Sequence, residues 1–82
     1  MTLQILYFAK IRDLVGKPEE EIALPDTART LADVLEHLER RHPPLAGALE
    51  KIRVARNETF ATLTDPVADG DTIALIPPVA GG

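Results

Sequence analysis

One amphipathic helix limits the folds open to this chain more than any other feature of the sequence. Segment 30–41 carries four apolar side chains at helical spacing, which form a single stripe: Leu31, Val34, Leu35 and Leu38. Thr30, followed three residues later by Asp33, matches the capping-box pattern that begins a helix. His42-Pro43 ends the helix, because the residue before a proline is disfavoured in the α region. A helix with one apolar stripe needs one apolar layer to lie on, so the rest of the chain is expected to form a sheet.

The remaining segments supply the strands of that sheet. Apolar content and turn-forming flanks predict strands over Thr2–Ala9, Glu20–Leu24, Ile52–Arg56, Phe60–Leu63 and Thr72–Ile76. Short helical turns are expected over Lys10–Val15 and over Leu45–Lys51. The order is strand, strand, helix, strand, strand, strand. One main helix on a mixed sheet of about five strands, in this order, is the ubiquitin-like β-grasp arrangement of the α+β class.

The length of the chain sets its domain organisation. With 82 residues it has room for one domain. Hydrophobic residues make up 45% of the sequence, which is typical of a folded domain and not of a disordered chain. We place the β-grasp domain at residues 1–76 and an extended C-terminal tail at residues 77–82.

Charge and composition argue against several classes of function. The formal net charge of −4 disfavours a nucleic-acid or anionic-membrane partner, since both require clustered Lys and Arg. The sequence has no Cys, which excludes disulfides and thiolate metal sites, and no Ser, so two common side-chain nucleophiles are absent. No signal-peptide pattern opens the chain and no apolar run is long enough to span a bilayer, so we expect a cytoplasmic location.

The last six residues, Pro77-Pro78-Val79-Ala80-Gly81-Gly82, form a narrow arm. Pro77 and Pro78 favour extended backbone and end strand pairing, because neither has an N–H to donate. Gly81 and Gly82 have no β-carbon, so their backbone can enter a slot that excludes other residues. A Gly-Gly end alone is commonly a frayed terminus. The Pro-Pro exit followed by small uncharged residues, with no polar filler, favours a functional tail of about 20 Å in extended form.

The carboxylate of Gly82 is the reactive group that such a tail would carry. An α-carboxyl has a pKa of about 3.5, so it is ionised at neutral pH and is a poor electrophile. Activation as an acyl-adenylate would give it a leaving group, AMP, that a sulfur nucleophile could displace. The product would be a terminal thiocarboxylate, a sulfur donor. In a chain without Cys, covalently carried sulfur has no other plausible position.

Three segments of the sequence resemble the MoaD-type small subunits of molybdopterin synthase, in the MoaD/ThiS family of sulfur carriers. The ending Asp69-Gly70-Asp71, Ala74-Leu75-Ile76 and Pro77-Pro78-Val79-Ala80-Gly81-Gly82 is the most specific part. The opening Leu6-Tyr7-Phe8-Ala9-Lys10-Ile11-Arg12-Asp13-Leu14-Val15-Gly16 and the turn Asn57-Glu58-Thr59 resemble the same family. The resemblance spans the whole chain and is weakest in the middle helix.

The resemblance implies a function and a set of partners. An E1-like enzyme that uses ATP would adenylate Gly82 and convert it to the thiocarboxylate. The tail would then enter the active site of the large synthase subunit, which carries the catalytic residues, and give sulfur to cyclic pyranopterin monophosphate. Two charged carriers would act for each molybdopterin, and the usual assembly has two large and two small subunits. The chain itself would bind no cofactor and no metal.

Alternation along the strands sorts the apolar side chains into two faces. We assign Leu3, Ile5, Tyr7, Ile52, Val54, Leu63, Ile73 and Leu75 to the core beneath the helix. The opposite face then shows Leu6, Phe8, Phe60, Ala74 and Ile76. Such a cluster on an uncovered face predicts a protein interface, against the alternative that Phe8 or Phe60 packs under a loop. The resemblance implies that Phe8, Phe60 and Ile76, with the stem Pro77, Pro78, Val79 and Ala80, meet the large subunit.

Other functions remain open at this point. The chain could carry sulfur for thiamine or tRNA thiolation, could be a modifier that joins Gly82 to lysines as ubiquitin does, or could be a β-grasp binding module without covalent chemistry. His37 and His42 lie five residues apart, which favours solvated or helix-end roles over metal binding. The run Glu19-Glu20-Glu21 is interpreted as a solvated turn, and Asp69 and Asp71 as turn-forming residues.

Overall fold

Five strands and two α-helices make up the fold of the computed structural model, which describes residues 1–78. The strands are β1 (Thr2–Tyr7), β2 (Glu19–Ala23), β3 (Arg53–Arg56), β4 (Thr59–Ala61) and β5 (Thr72–Ile76). The helices are α1 (Ala9–Val15) and α2 (Leu31–Arg41), and a 3₁₀ turn spans Pro43–Leu45. The strands form one sheet in the order β2-β1-β5-β3-β4. The predicted ubiquitin-like β-grasp fold is confirmed.

The first and last strands lie side by side at the centre of the sheet. β1 pairs with β5 in parallel, with Ile5 opposite Ile73, and with β2 in an antiparallel hairpin. β3 is antiparallel to both β5 and β4. A parallel pair needs a connection that crosses the sheet. The segment with α2 lies between β2 and β3 in the chain, and its apolar stripe packs into the same buried cluster as the central strands.

The core lies between α2 and one face of the sheet, which we call the covered face. Its strand residues are Leu3, Ile5, Tyr7, Ile22, Val54, Ile73 and Leu75, all buried. On β1, β2 and β5 they alternate with exposed or half-buried neighbours, as the two-residue period of a strand requires. The helix contributes its predicted stripe, Leu31, Val34, Leu35 and Leu38.

The start of α2 follows the capping-box prediction. The Thr30 hydroxyl accepts a hydrogen bond from the Asp33 backbone N–H, and the Asp33 carboxylate accepts one from the Thr30 N–H. These bonds satisfy backbone donors that have no partner inside the helix. The helix ends at Arg41, with His42 as its C-cap before Pro43.

Several element limits differ from the predicted ones. β1 ends at Tyr7 and not at Ala9, because Phe8 caps α1 and its carbonyl accepts the Ile11 N–H. The helical turn expected over Leu45–Lys51 lies earlier, as the 3₁₀ turn, because the two prolines fix backbone angles that suit a helical first turn. β5 spans Thr72–Ile76, as predicted.

Two interpretations were wrong. The run Glu19-Glu20-Glu21 is not a solvated turn, because it opens β2, and strand alternation turns Glu20 toward the core side, where it is buried. Leu63 is not a core residue: β4 ends at Ala61, and Leu63 is 47% exposed. Ile52, also assigned to the core, is partly buried against it.

Candidate docking face and tail root

The face of the sheet opposite α2 carries an apolar hollow, and we call this face the open face. The register places Leu6 opposite Ala74, and Ala74 opposite Ala55, so these side chains lie in one row across β1, β5 and β3. Phe60 on β4 continues the row opposite Ala55. The hollow has a volume of about 640 Å³ and is lined by Leu6, Phe8, Ala55, Asn57, Glu58, Phe60, Thr72, Ala74 and Ile76.

The shape of the hollow follows from the sizes of its side chains. Ala55 and Ala74 form a low floor, whereas two aromatic rings rise at its edges. Phe8 is 44% exposed and Phe60 is 62% exposed, while Ile76 is half-buried. The structure therefore brings together the five apolar residues that strand alternation placed on this side. Neither Phe8 nor Phe60 is packed under a loop.

Two contributors to this surface, Ala55 and Arg53, were not assigned to it from the sequence. Ala55 forms part of the floor, and its position follows from its pairing with Phe60 and Ala74. Arg53 places its guanidinium carbon 5.2 Å from the centroid of the Phe60 ring, in a cation–π contact. Strand alternation from Ala55 could have placed Arg53 on the open face. Its contact with Phe60 depends on the β3–β4 pairing, which the sequence does not state.

The root of the tail lies at the edge of this hollow. Ile76, the last residue of β5, is half-buried, as is Pro77, and Pro78 is exposed. A second groove of about 820 Å³ begins here and is lined by Phe8, Ala9, Lys10, Ile11, Gly47, Ala48, Glu50, Lys51, Ile76, Pro77 and Pro78. The predicted site residues Val79, Ala80, Gly81 and Gly82 lie outside the described residues.

Phe8 is held at the boundary between the two hollows by the backbone around it. Its N–H donates to the Leu75 carbonyl, which extends the β1–β5 contact by one residue. The next residue, Ala9, has a φ of 49°, in the left-handed region that a residue with a β-carbon rarely adopts. The chain thus turns sharply from strand to helix directly after Phe8, and the ring is left outside both elements.

The buried carboxylate of Glu20 lies at the edge of the covered face, at the end where β2 begins. The Glu20 carboxylate accepts hydrogen bonds from the Tyr7 hydroxyl, the Lys17 ammonium, the Arg41 guanidinium and His42 Nε2. Burial by itself raises the pKa of Glu20, but the bonds from Tyr7 and His42 outweigh it and lower that pKa to about 2. Burial first, and then the Glu20 carboxylate, raise the pKa of Tyr7. At neutral pH, Glu20 is therefore ionised and ties β1, β2 and the end of α2 together.

A second carboxylate positions the β3–β4 turn at the other end of the sheet. Asp71 accepts hydrogen bonds from the Ala68 N–H, the Asn57 amide and Arg56, and Asn57 in turn accepts the Thr72 N–H. Burial raises the pKa of Asp71, and these donors together lower it below its usual range. Asn57 and Glu58 adopt left-handed backbone, as a tight hairpin requires. This network fixes the end of the open face that lies farthest from the tail.

The composition of the open face suits protein binding. It combines an apolar centre with polar groups at one end, the composition of a protein-docking surface. Among residues 1–78, no three His, Asp or Glu side chains lie close enough together to hold a metal ion. Over the same residues, no helix has the length and apolar content to cross a membrane.

Comparison with known proteins places this geometry in a family. The profile of the ThiS family matches residues 5–82. The molybdopterin synthase sulfur carrier subunit of Haemophilus influenzae is 43% identical over 82 residues, which cover 98% of this chain and 99% of the relative.

Two solved structures share the fold. Small archaeal modifier protein 1 from Haloferax volcanii superposes with a TM-score of 0.89 at 30% identity, over 100% of both chains. A chain in the complex of subunits 1 and 2 of the molybdopterin-converting factor from Helicobacter pylori matches with a TM-score of 0.69 at 25% identity, again over 100% of both chains. With a family profile over nearly its whole length and a 43% identical relative of equal length, this chain belongs to the ThiS family, among the molybdopterin synthase sulfur carrier subunits.

Proposed function

We propose that the chain is the sulfur-donating subunit of a two-subunit molybdopterin synthase, with Gly82 as the sulfur-bearing residue. In this role the open face docks on the large subunit, and residues 77–82 lead the C-terminus into the active site of that subunit. The catalytic residues belong to the large subunit. This chain supplies the docking surface and the activated sulfur.

The position of the tail root beside the open face carries this proposal. Ile76 lines both the hollow of the open face and the groove at the tail root. A partner that covers Phe8 and Phe60 is therefore already in contact with the residue from which the tail begins. The resemblance of the fold to a chain in the Helicobacter pylori complex of subunits 1 and 2 supports the same pairing.

The chemistry at Gly82 needs one activation step and one substitution step. A carboxylate oxygen attacks the α-phosphorus of ATP, and pyrophosphate leaves, in the active site of an E1-like partner. Sulfide then attacks the acyl carbon, and AMP departs with the former carboxylate oxygen. The product is a thiocarboxylate. The thiocarboxylate sulfur then displaces an oxygen substituent of cyclic pyranopterin monophosphate, which links Gly82 to the pterin through a thioester. Water cleaves the bond between the acyl carbon and sulfur, so the sulfur stays on the pterin and the Gly82 carboxylate is restored. Two charged chains serve each molybdopterin.

Intact-mass spectrometry tests the activation step. The chain is incubated with the E1-like partner, ATP and sulfide. We expect a mass increase equal to the exchange of one oxygen for one sulfur, and no increase without ATP or after deletion of Gly82. An unchanged mass with a partner that consumes ATP on a known carrier would refute the proposal.

The transfer step is tested with the large subunit present. The thiocarboxylated chain should convert cyclic pyranopterin monophosphate to molybdopterin, whereas a chain extended by one Ala after Gly82 should form no thiocarboxylate and no product. Because its open face is intact, the extended chain should still bind the large subunit, although more weakly than the unextended chain. If the charged chain binds the large subunit but transfers no sulfur to the pterin, the acceptor belongs to another pathway, such as thiamine synthesis or tRNA thiolation.

A second function is favoured by one comparison. The small archaeal modifier protein from Haloferax volcanii has the same fold at 30% identity over the full chain. In a modifier, the Gly82 adenylate would be attacked by a lysine amine in place of sulfide. Mass spectrometry of tryptic digests of proteins captured with a tagged chain would then find lysines that carry residues 57–82, because no Lys or Arg follows Arg56. This branched peptide would be absent after deletion of Gly82.

A further inference from the structure

Arg53 stands at the point where the open face meets the tail root. The register places it opposite Ile76, the last residue of β5. Its side chain is exposed, and the guanidinium lies 5.2 Å from the centroid of the Phe60 ring. Within the five strands, Arg53 is the one cationic side chain that alternation places on the open face.

Docking on Phe60 has a direct consequence for Arg53. Phe60 is 62% exposed and is the most exposed large apolar side chain among residues 1–78. A partner that buries this ring also covers the guanidinium that lies over it. A guanidinium that is removed from water is strongly destabilised unless an anion or several acceptors replace the lost hydration.

The described residues do not supply that anion. None of the ion pairs within residues 1–78 includes Arg53. The acidic residues of the open face lie elsewhere: Glu19 and Glu21 are on β2, at the far edge of the sheet, and Glu58 is in the turn away from the tail root. Glu19 also accepts a hydrogen bond from the Gln4 amide. Glu50 lines the groove at the tail root but forms no ion pair with Arg53.

We infer that the surface of the large subunit that covers the open face presents a carboxylate to Arg53, beside the tail root. A guanidinium forms two parallel hydrogen bonds with a carboxylate while its flat side stays on an aromatic ring, so Phe60 and the carboxylate can hold Arg53 together. The pair fixes the lateral position of the docked subunit one strand away from β5. It therefore sets where the tail enters that subunit. This inference rests on the proposed docking of the open face.

The test is the dissociation constant of the full chain and the large synthase subunit, measured by titration calorimetry at low and at high salt. Arg53→Gln removes the charge and keeps a side chain of similar length. We expect it to weaken binding about tenfold at low salt and by clearly less at high salt, because salt screens the lost ion pair. Arg40→Gln is the matched control: Arg40 is exposed on α2, on the other side of the sheet, and pairs with Glu36. It should change the constant less than twofold.

The outcomes separate this inference from the proposed function. If the wild-type chain does not bind the large subunit, the proposed function fails. If the wild-type chain binds and Arg53→Gln binds equally well, the inferred carboxylate is refuted alone. An equal loss at both salt concentrations also refutes it, because the loss then comes from packing on Phe60. A wild-type homodimer that Arg53→Gln dissociates would overturn it as well, since a second copy would be the occupant. Unfolding curves of both variants verify that each is folded.

Discussion

The two faces of the sheet are built from alternate residues of the same strands, yet they differ in almost every property. On β5, Ile73 and Leu75 are fully buried beneath α2, whereas Ala74 and Ile76 are half-buried on the open face. Apart from Tyr7, the covered face is filled by branched aliphatic side chains. The open face combines an alanine floor with two exposed aromatic rings. The covered face therefore provides folding stability, and the open face keeps its apolar surface available for a partner.

The difference shows how a chain of 82 residues can support both stability and binding. A small domain buries a modest fraction of its surface, so each core side chain contributes a large share of its stability. The open face contributes little packing to the fold, and the same apolar area is free to stabilise a complex. Substitutions on the covered face should therefore mainly lower the free energy of unfolding. Substitutions on the open face should mainly weaken binding to a partner.

The largest effect on folding is expected from truncation in the covered face. Leu75→Ala should lower the free energy of unfolding by about 3–4 kcal/mol, because it removes a fully buried side chain and leaves a cavity. Ile76→Ala, the neighbouring change on the open face, should lower it by about 1 kcal/mol, since Ile76 is half-buried. Urea titration measures both. Equal losses at the two positions would contradict the distinction between the faces.

Removal of the carboxylate that closes the covered face should have the next largest effect. Glu20→Ala leaves the Tyr7 hydroxyl and the side chains of Arg41 and His42 without their shared acceptor. We expect a loss of about 3 kcal/mol in the free energy of unfolding. Glu39→Ala, at an exposed position on α2, should change it by less than about 0.5 kcal/mol. Unchanged stability in Glu20→Ala would mean that the four donors are satisfied without it.

Acid should weaken the stabilisation that the Glu20 carboxylate provides. The pKa of Glu20 is about 2 in the folded chain, below its ordinary value of 4.5. A carboxyl whose pKa is lower in the folded chain than in the unfolded chain stabilises the fold at any pH above its unfolded pKa. This stabilisation is lost as the pH falls from the unfolded pKa through the folded pKa. Between pH 5 and pH 2 we expect the free energy of unfolding to fall by about 3 kcal/mol through this group.

Glu20→Gln gives the control for the acid effect. It removes the titrating group and retains an acceptor, so the remaining decline should come from groups such as Asp71, whose pKa is also lowered. Urea titrations of both chains across this pH range measure the difference between their slopes. Parallel slopes would assign the acid sensitivity to groups other than Glu20.

The smallest effect on folding is expected from the most exposed ring of the open face. Phe60→Ala should reduce the free energy of unfolding by about 1 kcal/mol or less, because the lost contacts are the exposed cation–π pair with Arg53 and part of a strand surface. Its dissociation constant with the large subunit should nevertheless rise at least tenfold, as for a central aromatic side chain of an interface. A variant that is destabilised like Leu75→Ala would place Phe60 in the fold and not in the docking surface.

Much of this molecule follows from local sequence patterns. The stripe and capping box of α2, the limits of β5 and the apolar residues of the open face depend on spacing and on neighbouring residues, which the sequence states directly. The tail was interpreted in the same way, and its residues Val79–Gly82 lie outside the described structure. Patterns of this kind determined the fold class, and the resemblance of the opening, the hairpin turn and the ending to the MoaD/ThiS family indicated the family.

The tertiary structure decided the features that depend on contacts between distant segments. Glu20 is buried because β1 and the end of α2 bring Tyr7, Arg41 and His42 to it, from 13 to 22 residues away in the chain. Leu63 is exposed because β4 ends before it. Arg53 lies on Phe60 because β3 and β4 pair in one register. The local sequence around the three glutamates, or around Arg53, would fit a solvated loop as well as a strand. Only the pairing of strands that are distant in the chain decides which of the two forms.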